Sequence, residues 1–289
     1  MSAVHCVSAS TKTRSKKSSS GVTVSASRGA AAKRRARPDA ASVLIPAIIA
    51  DTFPWPTPSP APSFEGFPRE TFSWFAGLQD DNSKRYFTAH RETYDHAVRG
   101  ALEALLEQLA DELGGHVKMF RQHRDIRFSP DKSPYKTTTY GLIVERPDSL
   151  AGLYLQLSAT GLFAGTGYHV LAADQLARFR DAIAGVETGP ALEQAVAAAV
   201  AAGVETFGEA LKVAPRGYPR DHPRVHLLRH KSLVAGRRLE PGGSGISRDA
   251  ALDHARTTWA VCGAINAWLD EHVGTSEIPP QGRYGRAGR

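Results

Sequence analysis

Thr137-Thr138-Thr139-Tyr140-Gly141-Leu142-Ile143-Val144 and, a little further on, Leu153-Tyr154-Leu155-Gln156-Leu157-Ser158 are the stretches whose reading decides the fold. Both are short, rich in β-branched or aromatic side chains and bounded by turn residues, which is the composition of strands. Upstream, residues 117–120 and 124–128 carry the same signal. Residues 162–168 follow with Gly161, Gly165 and Gly167 among them, and read as a strand or turn that needs unusual backbone angles.

Outward from these strands the period changes. Over 83–113, Tyr86, Phe87, Tyr94, Val98, Leu102, Leu105, Leu106 and Leu109 recur at three- and four-residue steps, which predicts one long helix ended by Gly114-Gly115. Residues 68–78 predict a short helix opened by a proline. On the other side, helices are expected over 172–184 and 190–202, and from the N-cap Ser247 through Leu269. Helices at both ends with consecutive strands between them define an α+β class. The expected architecture is a single domain with a mainly antiparallel sheet packed against N- and C-terminal helices.

Charge separates this domain from its ends. Residues 1–63 hold nine Lys or Arg against Asp39 and Asp51, whereas residues 64–272 hold 24 basic and 26 acidic side chains. The net charge of +7 therefore belongs to the tail, and the folded part has no global field to draw in a polyanion. The composition of 1–40 cannot bury a core, and the alternating prolines of 53–62 read as an extended linker. The expected organisation is a disordered basic, Pro-rich extension over 1–63, a domain over 64–272 and a loose tail over 273–289. Cys6 and Cys262 are too few for a disulfide framework. No segment reaches the roughly 20 apolar residues of a membrane span, so a cytoplasmic protein is the expectation.

The densest chemistry lies in Phe120-Arg121-Gln122-His123-Arg124-Asp125-Ile126-Arg127-Phe128-Ser129-Pro130-Asp131-Lys132-Ser133-Pro134-Tyr135-Lys136. Strand alternation over 124–128 puts Ile126 and Phe128 on one face, with Asp125 and Arg127 on the other. Pro130 and Pro134 stiffen the loop that follows. Rigidly presented cations suit an anion site, because little ordering entropy is lost on binding. Arg124, Arg127, Lys132, Tyr135 and Lys136 are accordingly candidates for a phosphate or carboxylate pocket, with Asp125 orienting an arginine. The alternative is an ion-pair network of Arg124, Asp125, Arg127, Asp131 and Lys132 that pins the loop to the sheet.

A second constellation follows. Arg216-Gly217-Tyr218-Pro219 displays a cation and a phenol, and Asp221-His222-Pro223 reads as a helix start with Asp221 as cap. Arg216 and Tyr218 are candidates to join the anion pocket, and Asp125, Asp131 and His222 are the candidate acid–base groups. His222, His226 and His230 fall at helical spacing, but Pro223 stands where the zinc motif needs Glu. No metal, cofactor or catalytic residue is assigned. The glycines near 161–167 lack dinucleotide-fingerprint spacing, and the chain has no Walker loop or G-x-S-x-G elbow.

The run from Arg124 to Lys136 resembles the signature of a bacterial family of unknown function, number 2461, Arg-Asp-x-Arg-Phe-Ser-x-Asp-Lys-x-Pro-Tyr-Lys. Asp81-Asn82 with Tyr86 and Phe87, residues 154–168, and Pro215 to Tyr218 with Asp221-His222-Pro223 are similar to further parts of it. The resemblance covers roughly 64–272 and implies no substrate, cofactor or catalytic residue. Two functional readings follow from the residues: a cleft for a small phosphorylated or carboxylated ligand, or an interaction module whose basic arm contacts nucleic acid or an acidic partner.

Overall fold

A computed structural model describes residues 63–278, which the chain enters through strand β1 (Gly66–Pro68) and helix α1 (Arg69–Asp80). Pro68 caps the helix in extended conformation, and Phe72, Trp74, Phe75 and Leu78 are buried along it. The long helix expected over 83–113 is interrupted. It runs as α2 (Lys84–Ala89), α3 (Arg91–Thr93), a π-helical turn (Tyr94–Gly100) and α4 (Ala101–Leu113). The break has tertiary causes. Trp74 Nε1 donates to the carbonyl of His90 at 3.2 Å, and Thr71 Oγ1 donates to that of Ala97 at 2.9 Å. Two α1 side chains thus satisfy carbonyls around an irregular stretch that local propensity alone would have wound regularly.

Four consecutive strands follow: β2 (His116–Met119), β3 (Thr138–Val144), β4 (Gly152–Ser158) and β5 (Gly161–Tyr168). After them come α5 (Ala173–Ala184), α6 (Thr188–Ala201), β6 (Glu205–Phe207), α7 (Val225–Leu228) and β7 (Leu233–Leu239). The chain closes with β8 (Gly245–Ser247), α8 (Arg248–Val261) and α9 (Gly263–His272). One six-stranded sheet has the order β2-β3-β4-β5-β7-β6 with every pair antiparallel, and β1 pairs with β8 separately. The protein is α+β, as expected.

Three local expectations are corrected. Residues 124–128 form no strand and belong to a long loop between β2 and β3. Strand β7 was not foreseen, because Gly236, Arg237 and Arg238 hide its apolar positions; it pairs with β5 from Leu162↔Leu239 to Tyr168↔Leu233. The last helix begins at Ser247, whose hydroxyl accepts from Ala250 N at 3.3 Å, but it divides at Cys262. The first residues of the expected loose tail are also held. Gln175 Nε2 donates to Gly274 O at 2.7 Å and Arg178 Nη2 to Thr275 O at 2.6 Å. The expected extension over residues 1–63 lies, apart from Ser63, outside the described residues.

Alternation divides the sheet into two unlike faces. Ile143, Leu153, Leu155, Leu157, Leu162 and Ala164 point to one face and are fully or nearly fully buried. Burying each leucine contributes about 1.5–3 kcal/mol. Helices α4, α8 and α9 cover this face. A Cβ on Gly141 would stand 2.5 Å from Leu106 Cδ1, Arg237 Nε donates to Thr258 Oγ1 at 3.0 Å, and Asn266 Nδ2 donates to Thr166 Oγ1 at 2.9 Å. Most side chains of the other face keep partial exposure, although Ser158, Gly165 and Gly236 on it are buried. No helix among the described residues is long and apolar enough to cross a membrane.

Candidate functional site

The charged run is a loop closed at its neck. His123 and Tyr135 form an antiparallel bridge, Arg124 N donates to Pro134 O, and Lys136 N donates to Gln122 O, each bond at 2.9 Å. Beneath the neck the buried Gln122 accepts from Thr139 Oγ1 at 2.7 Å and donates to the carbonyl of Lys136. From β2–β3 the loop reaches to the opening helices, where Asn82 binds both backbone groups of Tyr135, at 3.0 and 3.1 Å. The buried Tyr135 ring stacks on Phe87 with centroids 4.2 Å apart.

Inside the loop, short side chains capture backbone groups that a strand would have paired. Asp125 Oδ1 accepts from Arg127 N at 3.3 Å, and Asp131 Oδ1 accepts from Ser133 N at 2.9 Å and Ser133 Oγ at 2.6 Å. The cations are engaged in the same way. Arg127 grips Asp125 through Nε at 2.9 Å and Nη2 at 2.7 Å, Arg124 pairs with Asp131, and Lys132 Nζ donates to Ile126 O at 3.0 Å. The Arg127 hydrogen bonds, with the nearby cations, lower the Asp125 pKa to about 2. The two Ser133 bonds, with Arg124, hold the Asp131 carboxyl well below the usual range. Phe128, expected on the core face, is 94 % exposed. Lys136 differs from the other cations. Its Nζ donates to Arg121 O at 2.8 Å and Tyr140 Oη at 3.2 Å, and it stands 4.6 Å from the Tyr140 ring centroid.

The second constellation lies in another part of the molecule. Tyr135 belongs to the core cluster of α1, α4, α8 and the middle strands, whereas Tyr218 packs against the cluster of α5, α6 and α9. Tyr218 Oη donates to Asp181 Oδ1 at 2.7 Å, and burial followed by that carboxylate pushes its pKa up to about 12. Arg216 is exposed on a turn whose Gly217 takes φ 94°. Helix α7 covers only 225–228, so His222 stands outside it and Asp221 does not cap it; His222 Nδ1 instead accepts from Arg224 N at 3.1 Å. Arg224, which sequence reasoning passed over, caps α5 from its C-terminal side, donating to Ile183 O at 2.7 Å and Gly185 O at 3.0 Å.

What the sequence reading missed is the partly exposed sheet face. Register puts Tyr140, Leu142, Tyr154, Gln156, Phe163, Arg238, Glu205 and Phe207 on it, with Lys118 and Phe120 at the β2 edge. Their rings form a continuous line across the sheet. Phe120 stacks on Tyr140 (4.7 Å), Tyr140 meets Tyr154 (5.6 Å), Tyr154 meets Phe163 (6.1 Å) and Phe163 meets Phe207 (5.3 Å). The Phe163 ring lies flat across β5 and β7, where a Cβ on Gly165 or Gly236 would strike it at 2.7 and 2.6 Å. Cations stand over three of the rings: Lys118 at Phe120 (5.7 Å), Lys136 at Tyr140 and Arg238 at Phe163 (5.8 Å). At the end of the sheet where β4 begins and β5 finishes, Leu142, Gly152 and Gly167 line a hollow of about 390 Å³ with His169, Val170 and Ser276. The alternating aromatic positions were legible one strand at a time, but their alignment needed the register.

Residues 70–268 match the model of a family described as a conserved hypothetical protein family, domain of unknown function 2461, and the chain belongs to that family. No curated protein matches the chain.

Proposed function

We propose that the chain is a binding protein whose working surface is the partly exposed sheet face, and that its ligand is a single-stranded nucleic acid. The observation that carries this reading is the unbroken aromatic line with three cations standing over its rings. Bases stack on aromatic side chains whatever their sequence, and cations beside the rings take the phosphates between them. The line crosses every strand of the sheet, which suits several successive bases better than one nucleotide. Lys136 is the member of the predicted anion set that this face uses; the loop below it acts as a brace. Glu205 at the β6 edge is the acid facing the same side, and marks where a phosphate path would end.

Fluorescence anisotropy of labelled single-stranded DNA and RNA with the full chain tests the reading. Tyr140→Ala and Arg238→Ala together are expected to weaken binding by about tenfold to a hundredfold, taking 1–3 kcal/mol per stacked base. Three phosphate contacts predict a log–log salt slope of about −2. If that double variant binds as the parent does, affinity resides in the basic residues before position 63 and the sheet-face reading is wrong.

A further inference from the structure

On a face that takes phosphates a carboxylate is unfavourable, yet Glu205 stands exposed there. Register sets that acid beside the Phe163 platform. Gly165, Gly236 and Glu205 lie opposite one another across β5, β7 and β6, and the Phe163 ring rests over the two glycines. Arg238, opposite Phe163 on β7, brings its guanidinium carbon to 5.8 Å from the centroid of the same ring. Acid and guanidinium thus flank one ring from diagonal positions on neighbouring strands, about 7–8 Å apart at the backbone.

The two charges are close enough to meet, but they are used separately. Among the described residues Glu205 makes no side-chain hydrogen bond or ion pair, with Arg238 or with any other group. Arg238 Nη1 donates to Ser158 Oγ at 3.1 Å, which steadies the guanidinium and leaves Nε and Nη2 without partners among the described residues. Both side chains are exposed, so an acceptor and a fork of donors are open to whatever stacks on Phe163. Closing on each other would bring such an exposed pair little stability.

We infer that the Phe163 platform selects a keto base (guanine, uracil or thymine) over adenine and cytosine, an inference that rests on the sheet-face reading. Guanine carries O6 beside N1–H, and uracil and thymine carry O4 beside N3–H. An edge of that kind donates its ring N–H to Glu205 and accepts from Arg238 at its carbonyl. Adenine and cytosine carry an amino group and an unprotonated ring nitrogen at the same two positions, so the polarity is reversed. Their amino hydrogens face the guanidinium and their ring lone pair faces the carboxylate, which leaves both protein groups unmet. Rejection of the wrong base therefore adds to attraction of the right one. Phe120 and Tyr140 have only the single ammonium groups of Lys118 and Lys136 over them, so the choice is made at Phe163.

Alternating repeats test this directly, because (GU) and (AC) RNA of equal length have the same purine content and the same phosphate charge. Anisotropy titrations on the full chain are expected to show (GU) binding about tenfold tighter than (AC), the discrimination of a good two-point base contact. The same ratio is expected for (GT) against (AC) DNA, since the contact is to the base and not the sugar. Glu205→Gln, on an exposed edge strand, keeps the fold and offers an amide that can turn either its oxygen or its nitrogen to the base. In that variant the ratio is expected to fall to within twofold; the general gain from removing a negative charge acts on both repeats and cancels. The inference is overturned if the parent binds the two repeats alike, if it prefers (AC), or if Glu205→Gln keeps the tenfold ratio. Equal, tight binding of both repeats would overturn base selection alone, whereas no binding of either would overturn the sheet-face reading with it.

Discussion

Replacing Asn82 with alanine isolates the contact that seats the charged loop on the opening helices. In the folded protein its carboxamide accepts from Tyr135 N at 3.0 Å and donates to Tyr135 O at 3.1 Å, closing a two-bond bridge across 53 residues of chain. Each such bond contributes about 0.5–1.5 kcal/mol net, so Asn82→Ala is expected to cost about 1–3 kcal/mol. For a domain of this size that lowers the melting temperature by roughly 2–4 °C per kcal/mol. Asn82→Asp keeps the acceptor for Tyr135 N but sets a carboxylate oxygen against Tyr135 O, so it is expected to be at least as destabilising. Urea denaturation followed by tryptophan fluorescence reads the change directly. A second readout follows from position, since Lys136 is the next residue and its ammonium reaches the aromatic line. Asn82→Ala is therefore expected to weaken oligonucleotide binding as well, whereas Lys136→Ala weakens binding with little loss of stability. A loss below about 0.5 kcal/mol in Asn82→Ala, under one ordinary hydrogen bond, would refute the bracing role of this bridge.

Other perturbations probe other parts of the structure. Gly141→Ala adds a methyl 2.5 Å from Leu106 Cδ1 and 2.6 Å from Met119 Sδ, and such overpacking is expected to cost about 1–3 kcal/mol by chemical denaturation. Asp125 has a folded-state pKa lowered to about 2, so its contribution is complete above the ordinary carboxylate pKa of about 3.9 and fades as pH falls through about 2. Asp125→Asn should accordingly melt slightly below the parent near neutral pH, with the gap closing in acid. A gap that widened on acidification would contradict the Arg127 pairing.

How far the sequence could be read depended on the range of the interaction concerned. Strands β3 and β4 were legible because Thr137 to Val144 and Leu153 to Ser158 carry their own signal. Ser247 was legible as a helix start because an N-cap acts on its own first turn. The rigid, turn-rich character of the loop around Pro130 and Pro134 was legible too, although the strand expected over 124–128 is absent. There Asp125 and Asp131 take backbone N–H groups that a ladder would have used.

What the chain alone determined, then, is its α+β class, the positions of the central strands and helix starts, and the concentration of charge between Phe120 and Lys136. Each of these follows from steric and hydrogen-bonding preferences acting over a few neighbouring residues. Tertiary structure decided which acid meets which base in that run, where β7 enters the sheet, and how rings from separate strands line up on one face. Those outcomes depend on strand register and helix docking between residues distant in sequence, and no local pattern encodes them.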